Sequence, residues 1–306
     1  MPPSPCPPLA QQLDIFADSD VMLRNDLVHA LLRCDAEAGR LAADRLTEQC
    51  PGDALLAPAG VLLVTLANAQ AASTTQPLVP DLPSVAAARD HLHIGIAPAA
   101  RAVLGAAAGT AWLQPLWRDW AQRSARLPWQ GTRPQDHAAA LWLAAGDWAQ
   151  AAQAAGGIPS WRRIPAPLAW MAEARCREQG VDEAWRLLAE RAWLAPAWLD
   201  ALLRTLEDPL LNRMRRGFEE GFDTGGDLGA QDLAWFPAWA LARTPALAPR
   251  LALAEPGQGT APERGLRLMV QQLGLEREGR HHGLMACRKS LRDLCPPLFA
   301  AYMATR

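Results

Sequence analysis

The sequence lacks the signals of β-structure. It has few β-branched residues, one tyrosine, and no convincing run in which apolar and polar residues alternate between turn residues. Such alternation is the pattern of a half-buried strand. Helical periodicity, in contrast, continues from one end of the chain to the other. The sequence therefore predicts an all-α fold.

An excess of charge of either sign is also lacking. The 30 lysine and arginine residues are matched by 32 aspartates and glutamates, and the formal net charge is −2. This balance argues against nucleic acid or an acidic membrane as the partner. Lys289 is the single lysine, and this bias towards arginine fits a GC-rich bacterial genome. The bias weakens any functional interpretation of the arginine count alone.

No segment has the features of a signal peptide or a membrane span. Residues 1–12 are proline-rich, without a basic start or an apolar core, and are predicted to be flexible. The longest apolar run, which starts at Ala54, contains proline and glycine and is shorter than the roughly 20 residues that a span needs. We therefore expect a cytoplasmic protein without a membrane partner, whose six dispersed cysteines are reduced.

Short catalytic and phosphate-binding signatures are missing, among them G-x-S-x-G, G-x-x-x-x-G-K-[ST], G-x-G-x-x-G and H-E-x-x-H. His91 and His93 are two residues apart, so on a helix they point in different directions and cannot share a metal ion. Cys287 and Cys295 fit a buried helical stripe better than a zinc site. We predict no catalytic residues, no metal and no cofactor.

Two stretches interrupt the helical pattern and suggest boundaries. Residues 71–84 are polar and proline-rich, and are predicted to form a linker or loop. Residues 221–230 contain four glycines and are predicted to form a second loop. The helical regions predicted around these loops are N-terminal helical hairpins at 13–70, tryptophan-rich repeats at 85–220 and a C-terminal repeat region at 231–306.

Capping residues predict where several helices begin. Ser19 or Asp20 can cap the first helix. Asp35 can cap the second, which Pro51 ends. Ser84 is predicted to cap the helix that follows the linker. The short connections between the first helices predict antiparallel packing.

One helical pattern recurs along the chain. In "VDEAWRLLAERAWLAP", Pro196 follows Ala184 by 12 residues, and near the C-terminus Pro296 follows Leu284 by 12. The motif "GDWAQA" opens a similar helix after Gly146. A small residue allows close helix approach, and a proline ends the helix so that a further unit can stack.

These fragments resemble the tetratricopeptide repeat, a helix–turn–helix unit of about 34 residues. The resemblance implies an α-solenoid, a superhelical array of antiparallel helix pairs that is irregular in places. It covers only part of the chain, since no clear copy lies across 71–130 or 207–261. A closed, irregular helical domain is the alternative architecture.

Two groups of residues are candidates for partner binding. The resemblance places Trp170, Glu173 and Arg177 on the first helix of a unit, where they would border the concave surface. The second group consists of C-terminal arginines, namely Arg277, Arg280, Arg288 and Arg292. Such a basic patch would suit an acidic protein tail or nucleic acid. The alternative is a solvated face with internal salt bridges.

The function predicted from this pattern is a non-catalytic scaffold or adaptor that binds a peptide or protein on its concave surface. One alternative is a structural subunit of a larger bacterial assembly. Another is an all-α enzyme with a pocket between helices. Most of the 13 tryptophans are expected to fill the core between alanine-rich helices.

Overall fold

The computed structural model describes residues 10–72, 80–222 and 229–305. Within these ranges every regular element is a helix, which confirms the predicted all-α class. None of the helices described there is long and apolar enough to cross a membrane. The chain forms two compact units, Met1–Gly146 and Asp147–Arg306, each of which has its own core.

The predicted loops and the predicted N-terminal segment fall in part outside the described residues. These undescribed parts are residues 1–9, residues 73–79 of the first loop and residues 223–228 of the second. The described remainder is partly helical, because helices begin at Ala10 and at Leu82.

The first unit is built from helices joined mostly by short turns. They are α1 (Ala10–Leu32), α2 (Ala36–Gln49), α3 (Leu56–Ala72), α4 (Leu82–Asp90), α5 (Ala97–Leu104), α6 (Ala106–Ser124) and α7 (Ala138–Ala144). A π-helical segment, His91–Ile96, joins α4 directly to α5. A 3-10 turn at Pro134–Asp136 precedes α7.

The capping predictions were right for α2 and wrong for α1 and α4. Asp35 caps α2, and its carboxylate accepts the N–H of Ala38. The helix α1 begins at Ala10 and passes through Ser19 and Asp20, because neither proline nor glycine interrupts it there. Asp81 rather than Ser84 caps α4, because its carboxylate accepts the backbone N–H of Ser84, which is the third residue of this helix. The second residue is a proline, which is favoured in the first turn of a helix.

Two helix hairpins, α1–α2 and α5–α6, form much of the packing in the first unit. The indole Nε1 of Trp112 on α6 donates to the carbonyl of Leu31 at the end of α1, at 2.9 Å. Gly109 allows α6 to approach α5 closely, because a Cβ there would lie 2.9 Å from the backbone of Ala100. The buried Asp136 forms an ion pair with Arg89, which ties the 3-10 turn to α4.

The second unit contains more helices, and several of them are short. They are α8 (Trp148–Gly156), α9 (Pro165–Gln179), α10 (Val181–Leu194), α11 (Leu199–Leu206), α12 (Pro209–Gly221), α13 (Phe236–Arg243), α14 (Ala248–Leu251), α15 (Ala261–Arg277), α16 (His281–Leu294) and α17 (Pro296–Met303). Among them α10 packs against α9, α13 and α14, and it lies at the centre of the unit. Trp185 on α10 is fully buried.

The pairs α9–α10 and α15–α16 share a local geometry. Each pair turns at a glycine with positive φ, 90° at Gly180 and 69° at Gly279. Each second helix ends before a non-helical residue with φ of −154°, at Ala195 and at Cys295, and a proline follows. Proline disfavours helical backbone in the residue before it, which explains both helix ends.

Candidate functional site

Trp170, Glu173 and Arg177 lie on one face of α9, because they are three and four residues apart. The Arg177 guanidinium donates to the carbonyl of Thr205 on α11 at 2.6 Å. It also lies 5.9 Å from the ring centre of Trp148 on α8. The predicted trio therefore shares one face of α9, and Arg177 is held there by its contacts with α11 and α8.

The carboxyl of Glu173 is partly withdrawn from water. Burial raises the pKa of Glu173 above its usual range, and the charge of Arg177 acts in the opposite direction. Cys176 also lies on α9, and burial is the main cause that raises the pKa of its thiol. Arg177 is thus the group that favours the ionised form of Glu173.

We predict that Arg177→Gln raises the pKa of Glu173 further, because the opposing positive charge is lost while the burial remains. A carbon-detected NMR titration of the glutamate carboxyls measures this change directly. Arg175→Gln, on the same helix, serves as the control. An unchanged Glu173 titration in the Arg177 variant would show that the two side chains do not interact in solution.

The predicted C-terminal arginines have different environments. Arg277 and Arg280 are exposed, and Arg280 forms an ion pair with Glu278 at 3.4 Å. Arg292 forms one with Asp293 at 3.5 Å, and both side chains are more than half exposed. Ion pairs of this kind contribute little to stability, so these arginines remain available to a partner.

Arg288 has a structural role that the other three lack. Its guanidinium donates to the Tyr302 hydroxyl at 3.1 Å and pairs with the Glu276 carboxylate at 3.3 Å. The Tyr302 hydroxyl also donates to Glu276, and the tyrosine ring is fully buried. This network joins α15, α16 and α17, and it fixes the position of α17 beside α16.

A groove of about 570 Å³ lies between α16 and α17, and we call it the C-terminal groove. Its lining consists of three cations and four apolar side chains, namely Arg288, Lys289, Arg292, Met285, Ala286, Phe299 and Met303. Met285 is 66% exposed and Met303 is 41% exposed. Two of the predicted arginines therefore border an accessible apolar surface.

Sequence reasoning missed the apolar part of this groove. Met285 follows the buried Leu284 and faces solvent from the otherwise polar side of α16. Phe299 and Met303 are four residues apart on α17, so they share a face. The signal available in the sequence was that Met285 lies outside the apolar stripe of α16 and close to a cluster of basic residues.

A second cavity, of about 310 Å³, lies in the second unit beside α10. The Glu190 carboxylate is buried there, and it accepts hydrogen bonds from Arg162 at 2.6 and 2.8 Å. The Nε of Arg162 lies 3.1 Å from a carboxylate oxygen of Glu255, whose backbone N–H donates to Glu190 at 2.9 Å. Burial raises the pKa of Glu190, although these hydrogen bonds and the Arg162 charge oppose the shift.

Charged groups in this cavity and beside it hold a loop against α10. Arg163 donates to the carbonyl of Pro256 at 2.7 Å. The buried Glu263 accepts the N–H groups of Gly257 at 2.7 Å and Gly259 at 2.8 Å. Because these side chains and the backbone groups of the loop are largely hydrogen-bonded to one another, we interpret the cluster as a structural one that fixes the loop to α10.

The first unit carries a groove of about 580 Å³ among α3, the π-helical segment and α6. Val61 and Val64 on α3 border it and are exposed, although α3 is apolar on its other faces as well. His91 lines this groove, whereas the His93 ring packs against Trp117 with ring centres 4.8 Å apart and the ring planes tilted by 50°. The two histidines therefore have different neighbours.

The cysteines near the C-terminus are core residues, as predicted. Cys287 packs with Leu275 and Leu284, and its thiol lies 3.3 Å from the carbonyl of Leu268. Cys295 is also buried, and burial raises the pKa of both thiols. In the part of the chain that the structure describes, no three His, Cys, Asp or Glu side chains are grouped to hold a metal ion.

Comparison with known proteins found no relative of this chain. No protein-family model matches it, and neither a curated protein nor a solved structure does. No relative therefore supports the resemblance to the tetratricopeptide repeat.

Proposed function

We propose that this chain is a non-catalytic helical adaptor that binds a protein or peptide partner in the C-terminal groove. The observation that carries the proposal is the combination of exposed methionines with flanking cations on one surface. Methionine side chains are flexible and polarisable, and they are used where a surface must adapt to a partner. Apolar side chains rimmed by polar ones are typical of protein interaction sites.

The proposal includes an α-solenoid built in part from tetratricopeptide-like helix pairs. The turn glycines and the proline-ended helices of α9–α10 and α15–α16 support it, because they give both pairs the same local backbone path. In such an array the face of α9 with Trp170, Glu173 and Arg177 would supply a second contact for the same partner.

A structural subunit of a larger assembly is the second candidate function. The observation that favours it is the groove of the first unit, where Val64 is 61% exposed on a helix that is apolar on several faces. A helix with apolar residues all round is normally buried. Another chain packed on α3 would provide that burial.

Affinity capture from a lysate of the source organism tests the adaptor proposal. We expect the tagged chain to retain a protein that Met285→Asp loses, because a carboxylate in the apolar floor of the groove has to be desolvated on binding. Met22→Asp is the matched control, since Met22 on α1 is also 66% exposed. Retention of every partner by both variants would contradict binding in the groove.

The α9 face is tested in the same experiment with the double variant Trp170→Ala/Arg177→Glu. Loss of the same protein would support a shared surface for one partner. Samples with and without nuclease are compared, so that a protein retained through nucleic acid is recognised. A partner that is indifferent to both groove and α9 variants would favour the assembly subunit.

A further inference from the structure

We infer that the occupant of the C-terminal groove is an acidic amphipathic helix of a partner protein. The inference rests on the proposed function and names the chemistry of the partner. It follows from two properties of the groove, its charge and the arrangement of its apolar side chains.

The charge of the groove is positive and only partly neutralised within the chain. Lys289 is exposed and has no ion pair among the residues that the structure describes. Arg292 pairs only with its neighbour Asp293, at 3.5 Å and on the surface. Arg288 shares its charge with Glu276. Carboxylates of a partner would therefore find two cations that no buried acid neutralises.

The apolar side chains of the groove come from two neighbouring helices. Met285 stands on α16, while Phe299 and Met303 stand one turn apart on α17. A groove between two helices accepts the apolar face of a third helix, whose anchoring residues recur at three- and four-residue spacing. The cations Lys289 and Arg292 are three residues apart on α16 and would meet acidic residues beside that apolar face.

Nucleic acid fits the same surface less well. Phe299 is the one aromatic side chain of the groove, and stacking of several bases needs several aromatic rings. A floor of methionine suits leucine and isoleucine side chains better than sugars and phosphates.

Fluorescence anisotropy with synthetic peptides tests the inference on the full chain. The first probe is a labelled helix of about five turns, with leucine on one face and glutamate on the other. The second probe has lysine in place of glutamate, the third is a scrambled sequence of the acidic peptide, and the fourth is a labelled single-stranded oligonucleotide. We expect the acidic amphipathic helix alone to bind, and its affinity to fall as salt is raised.

Variants locate the binding. We expect Lys289→Glu/Arg292→Glu to weaken binding of the acidic helix at least about tenfold, because two attractive charges become repulsive. Met285→Asp should also weaken it, whereas Met22→Asp and Arg204→Glu should leave it unchanged. Arg204 is 64% exposed on α11 and is therefore a suitable control for a charge reversal.

Three results would overturn the inference. They are equal binding of the acidic and basic helices, binding of the oligonucleotide in preference to the peptides, and binding of none of the four probes. In each case the capture experiment still tests the proposed function separately, because it detects any protein whose retention depends on Met285, whatever the chemistry of that protein.

Discussion

Arg162→Met should destabilise the second unit by about 3–5 kcal/mol at pH 7, the usual cost of removing one partner from a buried ion pair. The side chain of Glu190 is only 6% exposed, and both of its carboxylate oxygens accept hydrogen bonds from Arg162. Without the guanidinium, Glu190 retains the N–H of Glu255 and keeps an uncompensated charge beside α10.

The destabilisation should depend on pH in a defined direction. Burial raises the pKa of Glu190 in the folded chain, so the folded state favours its neutral form. The contribution of Glu190 to the free energy of unfolding is therefore fully present below the pKa that this group has in the unfolded chain. It is lost as the pH rises through the higher pKa that Glu190 has in the folded chain. Arg162→Met removes a group that lowers this pKa, so the folded pKa should rise further. The cost of the substitution should therefore be largest at neutral pH and smaller at about pH 4.

Urea unfolding followed by circular dichroism at the two pH values measures both effects. Arg204→Met is the control, because its pair with Asp200 lies on the surface and spans one turn of α11. Its expected cost is at most about 0.5 kcal/mol. Equal costs for the two substitutions at pH 7 would mean that the Arg162–Glu190 pair does not stabilise the fold.

Helical periodicity predicted much of the fold, because the apolar face of a helix shows in the sequence as apolar residues spaced three and four positions apart. Leu187, Leu188 and Ala192 are buried on α10 as their spacing suggests, and Cys287 is buried on α16. The helix ends before Pro196 and Pro296 were also predictable, since proline acts on the residue before it.

The environment of Glu190 could not be predicted in the same way. An amphipathic pattern assigns a glutamate to the solvated face, yet Glu190 is buried by a loop that lies 65 residues later in the chain. Arg191 beside it is also buried, and burial lowers its pKa. Such burial depends on long-range packing of α10 against α13 and α14, which local periodicity does not contain.

The C-terminal groove was predicted only by its cations. Arg288 and Arg292 share a face at four-residue spacing, which the sequence shows directly. The apolar floor depends on how α17 docks, and that position is set by the contacts of Tyr302 with Arg288 and Glu276. A hydrogen-bond network among three helices has no signature in the sequence of any one of them.

Trp185→Ala should destabilise the second unit by about 3–5 kcal/mol, because it removes a fully buried indole and leaves a cavity. The ring of Trp185 stacks with Phe236, with centroids 6.0 Å apart. Phe236 in turn contacts Phe218 and Trp239, so an aromatic cluster joins α10, α12 and α13. Loss of Trp185 removes one side of this cluster.

Trp185→Phe should cost much less than Trp185→Ala. The indole Nε1 of Trp185 is buried without a hydrogen-bond partner among the described residues, so phenylalanine keeps much of the packing and removes an unsatisfied donor. Trp198→Ala is the control for a tryptophan at the surface, since Trp198 is 67% exposed, and its expected cost is within about 0.5 kcal/mol.

Urea unfolding, with near-ultraviolet circular dichroism to report aromatic packing, compares these three variants. We expect the free energy of unfolding to fall strongly in Trp185→Ala, slightly in Trp185→Phe and hardly at all in Trp198→Ala. That result would show that the buried tryptophan stabilises the fold through its volume. Trp198 would then be available to bind a partner without cost to the fold. If Trp185→Ala and Trp198→Ala were equally mild, the aromatic cluster would not be the centre of the second unit.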